Sequence, residues 1–179
     1  MKTIKIISTS LFILLLTFSV FAAELKASDK APLFKAKLQS GKDFNLENQK
    51  GKWTVLYFFP KSDTPGCTTQ AYAFGENIKK ITSLGTDVYG ISMETVEEQA
   101  AFHKKHGLKI SLISDKAGTI TQAYGAKMPM MEMAKRWTFI LDDQLVIRKV
   151  DHEVDPVTDA EKVATFIANA QKSNNKIKR

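Results

Sequence analysis

The chain has 179 residues, a net charge of +7 and a single cysteine. This length suits one domain with a proper hydrophobic core but is too short for two. A single cysteine excludes an internal disulfide framework. The sequence contains neither a glycine-rich phosphate-binding loop nor a nucleic-acid-binding motif, so we expect no nucleic-acid partner.

The N-terminus has the pattern of a secretory signal peptide. Lys2 and Lys5 give a positive start, an apolar run follows, and small residues suited to cleavage end at Ala22. We therefore expect residues 1–22 to be removed, the mature protein to be periplasmic or secreted, and no stable membrane association after cleavage. An uncleaved membrane anchor formed by the same segment is the alternative, because its length is near the lower limit for spanning a bilayer.

The remainder, residues 23–179, predicts one α/β domain in which strands and helices alternate. Apolar runs predict strands at 53–59, 87–93, 110–113, 136–141 and 145–150. Apolar spacings of three and four predict helices from the loop near 67 to about 85, from Thr95 to 107, and around 163–170. This order predicts a mixed β-sheet with helices on both faces. From about residue 172 the basic tail lacks apolar periodicity, and we expect it to fray.

Cys67 lies between the first buried strand and the first helix of this series. A thiol in the first turn of a helix faces unpaired backbone N–H groups and the positive end of the helix dipole, and both favour thiolate over thiol. The position therefore makes Cys67 a candidate nucleophile. The alternative is a buried, inert thiol, which is common for free cysteines.

The residues around Cys67 resemble those of a known family. Pro60, Thr64 and Cys67 fit the pattern P-x-x-x-T-x-x-C of the peroxiredoxins, and the run 64–68 is similar to that of the Q-type subgroup, the bacterioferritin-comigratory proteins. Arg136 begins a segment similar to the family's R-x-T-F segment. Further similar segments lie at 31–34, 114–115 and 123–125. The resemblance implies a thioredoxin-like α/β fold with an N-terminal β-hairpin extension, and a thiol-dependent peroxidase in antioxidant defence that uses neither metal nor cofactor.

The resemblance also implies roles for the site residues. Cys67 would attack one peroxide oxygen, while Arg136 and the helix N-terminus stabilise its thiolate. The Thr64 hydroxyl, Arg136 and the N–H groups of Gly66 and Cys67 would bind the peroxide oxygens, and Pro60 would cover the thiolate. The products would be a sulfenic acid on Cys67 and water or an alcohol, from hydrogen peroxide or an organic hydroperoxide.

The sequence departs from the subgroup at one important position. Q-type members often carry a resolving cysteine five positions after the nucleophile, where this chain has Tyr72. The sulfenic acid of Cys67 therefore cannot form an internal disulfide, and we expect a one-cysteine cycle completed by an external thiol or a thioredoxin-like reductant. The family includes both monomers and homodimers, and the sequence does not choose between them.

Two groups of residues suggest metal binding as an alternative. Thioethers are soft ligands that suit Cu(I), and four methionines lie close together, at Met128, Met130, Met131 and Met133. A thioredoxin-like copper carrier is therefore the alternative function, although methionine more often fills irregular apolar surfaces or contacts. His103 and His106 share a helix face, but a solvated face is the simpler interpretation. Thr64 and Arg136 favour the peroxidase, because a copper carrier needs neither.

Overall fold

The computed structural model describes residues 24–177, with side chains described as far as Ser173. Its strands and helices are, in chain order, β1 (Lys35–Leu38), β2 (Asp43–Asn45), a short 3-10 helix (Leu46–Gln49), β3 (Trp53–Phe58), α1 (Pro65–Thr82), β4 (Thr86–Ser92), α2 (Val96–His106), β5 (Ser111–Ser114), α3 (Thr119–Ala123), β6 (Trp137–Leu141), β7 (Ile147–Asp151) and α4 (Asp159–Ile177). The predicted signal peptide, residues 1–22, lies outside the described residues. Within the described residues, every helix is too short or too polar to cross a membrane.

The described strands form one seven-stranded sheet in the order β2-β1-β5-β4-β3-β6-β7. The β3–β4 and β4–β5 pairs are parallel, and the other pairs are antiparallel. All six residues of β3 are buried, as expected for a central strand that is covered on both faces. The predicted mixed sheet and the N-terminal β-hairpin, formed by β1 and β2, are confirmed.

Alternate residues of β3 face two separate hydrophobic cores, because successive side chains of a strand point to opposite faces. Val55 and Tyr57 pack in a core with residues of α1, α2 and α4. Leu56 and Phe58 pack on the other face, in a core with residues of α3 and of the N-terminal segment. The sheet therefore carries helices on both faces, as the order of elements predicts.

The helix ends follow local sequence signals. Pro65 occupies the start of α1, where its missing N–H is tolerated. Thr95 caps α2 in a reciprocal pair with Glu98, and Gly107 ends it with a left-handed backbone at φ 56°. The predicted limits of α2 are confirmed.

The turn that connects β6 and β7 is longer than predicted. We expected the second strand to begin at Leu145, but β7 begins at Ile147. Leu145 has a φ of 58° and belongs to the turn. The carboxylate of Asp142 accepts hydrogen bonds from the N–H groups of Gln144 and Val146, at 2.9 and 3.0 Å. These bonds hold residues 142–146 in the turn, and regular pairing with β6 begins at Ile147.

The C-terminal helix is also longer than predicted. The sequence predicts a helix around 163–170 and a fraying tail from about residue 172, and α4 is helical as far as Ile177. The side chain of Gln171 donates to the Leu84 carbonyl at 2.8 Å, which ties the last turns of α4 to the turn that follows α1. The five-residue α3 has no counterpart in the sequence prediction, because so short a helix shows too few turns to establish a period.

Candidate active site

Cys67 lies in the first turn of α1, directly beyond the carboxyl end of β3, and is 2% exposed. The first hydrogen bond within the helix runs from the Thr68 N–H to the Thr64 carbonyl, at 2.9 Å. The N–H groups of Gly66 and Cys67 precede that bond, so they are free of intrahelical acceptors. The sulfur is therefore placed where backbone dipoles favour a negative charge.

Arg136 provides the full positive charge at this site. Its Nη2 donates to the Cys67 Sγ across 3.3 Å. Arg136 directly precedes β6, which pairs with β3 and places Thr138 opposite Tyr57. Because side chains alternate along a strand, Arg136 shares the face of Thr138 and points toward α1. Antiparallel pairing thus joins two residues that are 69 positions apart in the sequence.

Gly66 allows the guanidinium to approach the helix. A Cβ at this position would lie 3.2 Å from Arg136 Nη2 and 3.9 Å from the Pro156 ring. Any side chain larger than hydrogen would press on the group that contacts the sulfur. The sequence prediction assigned Gly66 to the site for its N–H, and the structure adds this steric reason.

Thr64 and Pro60 lie in the loop that precedes α1, and both are half-buried. The Thr64 hydroxyl donates to the Lys61 carbonyl at 2.9 Å, so its oxygen retains lone pairs that can accept a hydrogen bond. Pro60 follows the buried Phe59 at the start of the loop. The structure brings Thr64, Gly66, Cys67 and Arg136 to one end of α1. The covering role of Pro60 stays a prediction.

Two further residues connect to the site and were missed from the sequence. Gln70 accepts a hydrogen bond from Arg136 Nη1 at 2.6 Å, and its amide nitrogen donates to Asp159 Oδ2 at 2.7 Å. Gln70 could have been found, because it lies three positions after Cys67 and so shares its helix face. Asp159 had no local signal, since it comes from the start of α4. Burial raises the pKa of the Asp159 carboxyl, although hydrogen bonds from Gln70 and Thr138 act in the opposite direction.

Tyr57 also belongs to this region. Its ring stacks on Phe74 of α1, with centroids 4.7 Å apart, and its hydroxyl has no hydrogen-bond partner among the described residues. Burial raises the pKa of Tyr57 well above its usual value, and the nearby Cys67 and Asp159 raise it further. Tyr57 is therefore a neutral phenol in the buried wall of this region.

Polar contacts hold the active-site loop against α2. Asp63 has a φ of 60°, and its carboxylate contacts the ammonium of Lys105 and the Nε2 of His106. These hydrogen bonds lower the pKa of Asp63. The other nitrogen of the His106 ring lies 3.1 Å from the Tyr72 hydroxyl. Tyr72 therefore lies where Q-type members often carry a resolving cysteine, and its hydroxyl contacts the His106 ring.

The four methionines of the cluster differ in exposure. Met128 and Met133 are half-buried, whereas Met130 is fully exposed and Met131 is 47% exposed. The predicted packing therefore applies to the first two at most, and a contact role for the exposed pair stays a prediction. Within the described residues, no group of three or more His, Cys, Asp or Glu side chains could hold a metal ion. Of the two histidines considered as metal ligands, His106 contacts Asp63 and Tyr72.

Comparison with known proteins places this geometry in context. Residues 27–150 match the family model described as the AhpC/TSA family. The chain is 34% identical over 132 residues to a putative peroxiredoxin bcp of Coxiella burnetii, covering 70% of this chain and 87% of that protein. It is 37% identical over 133 residues to a chloroplastic peroxiredoxin Q of Sedum lineare, covering 74% of this chain and 71% of that protein.

A solved structure gives the same result for the fold. The peroxidoxin BcpB of Mycobacterium tuberculosis superimposes with a TM-score of 0.76 at 27% identity, covering 82% of this chain and 98% of that one. The expected thioredoxin-like arrangement is confirmed by this match. Thr64, Gly66, Cys67 and Arg136, which meet at the start of α1, lie within residues 27–150, the segment that matches the family model.

Proposed function

Since the chain belongs to the AhpC/TSA family, as a Q-type peroxiredoxin and therefore a thiol-dependent peroxidase, we propose that Cys67 is its peroxidatic nucleophile and that Arg136 orients the peroxide. The observation that carries this assignment is the 3.3 Å contact between Arg136 Nη2 and the Cys67 Sγ, at the N-terminus of α1. It joins the only cysteine of the chain to a fixed positive charge.

The proposed reaction begins with the Cys67 thiolate attacking one oxygen of the peroxide. A sulfur–oxygen bond forms while the oxygen–oxygen bond breaks, and the electron pair leaves on the second oxygen. That oxygen takes a proton and departs as water or an alcohol, and Cys67 becomes a sulfenic acid. The guanidinium of Arg136 and the N–H groups of Gly66 and Cys67 stabilise the negative charge as it moves from sulfur to oxygen.

Thr64 and Pro60 have supporting roles in this proposal. The Thr64 hydroxyl already donates to the Lys61 carbonyl, so it serves the peroxide as a hydrogen-bond acceptor through its free lone pairs. Pro60 limits access of water and bulky groups to the thiolate. Hydrogen peroxide and organic hydroperoxides are both proposed substrates, because the Pro156 ring lies beside Gly66 and offers apolar surface for an alkyl group.

The catalytic cycle uses one cysteine of the enzyme. The sulfenic acid reacts with an external thiol, which releases water and leaves a mixed disulfide. A second thiol then attacks this disulfide and regenerates Cys67. Cys67 is 2% exposed, which favours a small thiol in the folded enzyme. A thioredoxin-like protein would require the first turn of α1 to open before its own sulfur could reach Cys67.

The cellular location is proposed from the N-terminal pattern. Positive residues, an apolar segment and small residues before Ala22 support export and cleavage. Expression of the full chain followed by cell fractionation and intact mass is the test. The expected product is a periplasmic or secreted protein that begins at Ala23. A membrane-bound, full-length product would support the uncleaved anchor. Sedimentation of the mature protein distinguishes a monomer from a homodimer.

The enzymatic proposal is tested by stopped-flow fluorescence of the reduced mature protein. Trp137 follows Arg136 in the chain and reports on the site. Mixing with stoichiometric hydrogen peroxide is expected to give a fast second-order change and one added oxygen by intact mass. Cys67→Ser removes both signals. Oxidation no faster than that of a free small-molecule thiol would contradict the proposal. Turnover with a small thiol and with a thioredoxin then identifies the class of reductant.

A further inference from the structure

Asp159 is a buried acid whose presence needs an explanation. It is 2% exposed, and its Oδ2 accepts hydrogen bonds from Gln70 Nε2 at 2.7 Å and from the Thr138 hydroxyl at 2.9 Å. Both donors are neutral, and within the described residues no lysine, arginine or histidine forms an ion pair with this carboxylate. A buried carboxylate without a cationic partner costs stability. A neutral side chain of similar shape would fill the same space with a smaller loss of stability.

The contacts of Gln70 link this acid to the sulfur. At one end of its amide, Nε2 donates to Asp159, and at the other end Oε1 accepts from Arg136 Nη1 at 2.6 Å. Arg136 then reaches the Cys67 Sγ with its other terminal nitrogen. The order of the contacts is therefore carboxylate, amide, guanidinium, sulfur.

An amide can rotate by half a turn and exchange its oxygen and nitrogen. In the rotated form of Gln70, its NH₂ group would face the guanidinium, which has no acceptor, and its oxygen would face Asp159. A carboxylate can only accept hydrogen bonds, so it opposes the rotated form. An asparagine or a serine at the same place could donate and would tolerate both forms.

We propose that Asp159 is a positioning residue for peroxide reduction: it fixes the orientation of the Gln70 amide, so that Gln70 holds the Arg136 guanidinium against the Cys67 sulfur. The role of Asp159 is exerted through Gln70, and it touches neither sulfur nor peroxide. This proposal rests on the roles proposed above for Cys67 and Arg136.

The test is a pair of isosteric exchanges, made singly and together in the mature reduced protein. Gln70→Glu sets a carboxylate against that of Asp159, and the repulsion displaces the contact to Arg136. We expect the rate constant of Cys67 oxidation by hydrogen peroxide to fall about tenfold at neutral pH, as for misplaced catalytic groups. Adding Asp159→Asn supplies an N–H that can donate to the new glutamate. We expect the double variant to recover to within about threefold of wild type, a difference on the scale of one hydrogen bond.

A pH series separates positioning from simple support of the fold. In Gln70→Glu the two acids share a proton at low pH and repel when both are ionised, so oxidation slows further as pH rises. The charged and titratable groups that act on this pair are Arg136 and Tyr57 on the site side and Asp151 and Lys149 from β7. They are present in all the variants. The additional loss of rate at high pH is expected in Gln70→Glu and absent in the double variant.

Ile167→Ala is the matched control for stability. Ile167 is fully buried on the same helix as Asp159, and its apolar side chain can form no hydrogen bond with the polar groups of this network. It is expected to lower the unfolding temperature and leave the oxidation rate unchanged. Should Gln70→Glu not fold, Asp159→Leu removes the acceptor instead, and an unchanged oxidation rate in that variant overturns the proposal.

The outcomes separate this proposal from the enzymatic one. If Cys67→Ser consumes peroxide as fast as wild type, the proposed function itself fails. If Cys67→Ser is inactive and the double variant is as slow as Gln70→Glu or slower, only the role of Asp159 is overturned. Recovery in the double variant, together with loss of the high-pH decline, supports it.

Discussion

The two faces of the sheet carry different kinds of contact at the same strands. On one face, Tyr57 of β3 and Thr138 of β6 lie opposite each other, beside Cys67, Arg136 and Asp159. On the other face, Leu56 and Phe58 of β3 and Phe139 and Leu141 of β6 are large apolar side chains. Phe58 and Phe139 pack at 5.7 Å between ring centroids, and both pack on Tyr124.

The difference shows how one pair of strands serves both stability and chemistry. The aromatic face excludes water and packs one side of β3 and β6, while the backbone pairing of the two strands sets their register. That register fixes where Arg136 leaves β6 and where the loop after β3 delivers Cys67. The opposite face, which we call the polar face, carries Tyr57, Thr138, Arg136 and Asp159. These polar and charged groups would destabilise a core if they lacked fixed partners. Substitutions on the two faces should therefore separate activity from stability.

The largest effect on activity is expected from Arg136→Ala. It removes the fixed charge that contacts the sulfur, and losing one such transition-state donor lowers rates by about 10²- to 10³-fold. Arg136→Lys keeps the charge but loses the two-pronged contact with Cys67 and Gln70, so an intermediate rate is expected. Stopped-flow oxidation by hydrogen peroxide measures both. Equal rates for wild type and Arg136→Ala would contradict the division between the two faces.

The largest effect on stability is expected from Phe139→Ala. Phe139 is fully buried on the aromatic face, and truncation of such a residue costs about 3–5 kcal/mol. Urea unfolding followed by circular dichroism measures this loss. Leu33→Ala, at a 55%-exposed apolar residue, is the control and should change stability by less than about 0.5 kcal/mol. The oxidation rate of the folded Phe139→Ala protein should stay close to that of wild type. A loss of rate comparable to that of Arg136→Ala would show that the faces are not separable.

The sequence predicted the aromatic frame better than the polar contacts. The buried run of β3 and the helix α2 that follows Thr95 are local patterns, and both were predicted with nearly correct limits. Thr64, Gly66, Cys67 and Arg136 were assigned through a family resemblance, and the structure brings them together. Gln70 and Asp159 were missed because their contact spans 89 positions and depends on where α4 begins relative to α1. No periodicity or motif in a single sequence reports such a contact.

A smaller effect on activity is expected from Gly66→Ala. The new Cβ would lie 3.2 Å from Arg136 Nη2 and would displace the guanidinium by a few tenths of an ångström. We expect the oxidation rate to fall about tenfold, since small displacements of catalytic groups have large effects.

Gly75→Ala in the same helix is the matched control. Its nearest contact is ordinary, at 3.7 Å from Lys109 Cβ. It should stabilise α1 by about 0.5–1 kcal/mol without slowing oxidation. Equal rates for the two variants would exclude the steric role of Gly66.

The smallest expected effect is a gain of stability in Asp159→Asn. Because burial raises the pKa of this carboxyl, the folded state holds its proton to a higher pH than the unfolded state does. The stability contributed by Asp159 is therefore present below its ordinary pKa of 3.8 and is lost as pH rises through the raised value. Asparagine has no such loss, so the variant should be more stable than wild type near neutral pH, and the difference should shrink on acidification.

Unfolding temperatures of both reduced proteins from about pH 4 to pH 8 measure this difference in stability. Asp143→Asn, at an exposed position, is the control for net charge. If Asp159→Asn is less stable than wild type at every pH, Asp159 stabilises the fold. In that case the polar face of the sheet contributes to stability as the aromatic face does.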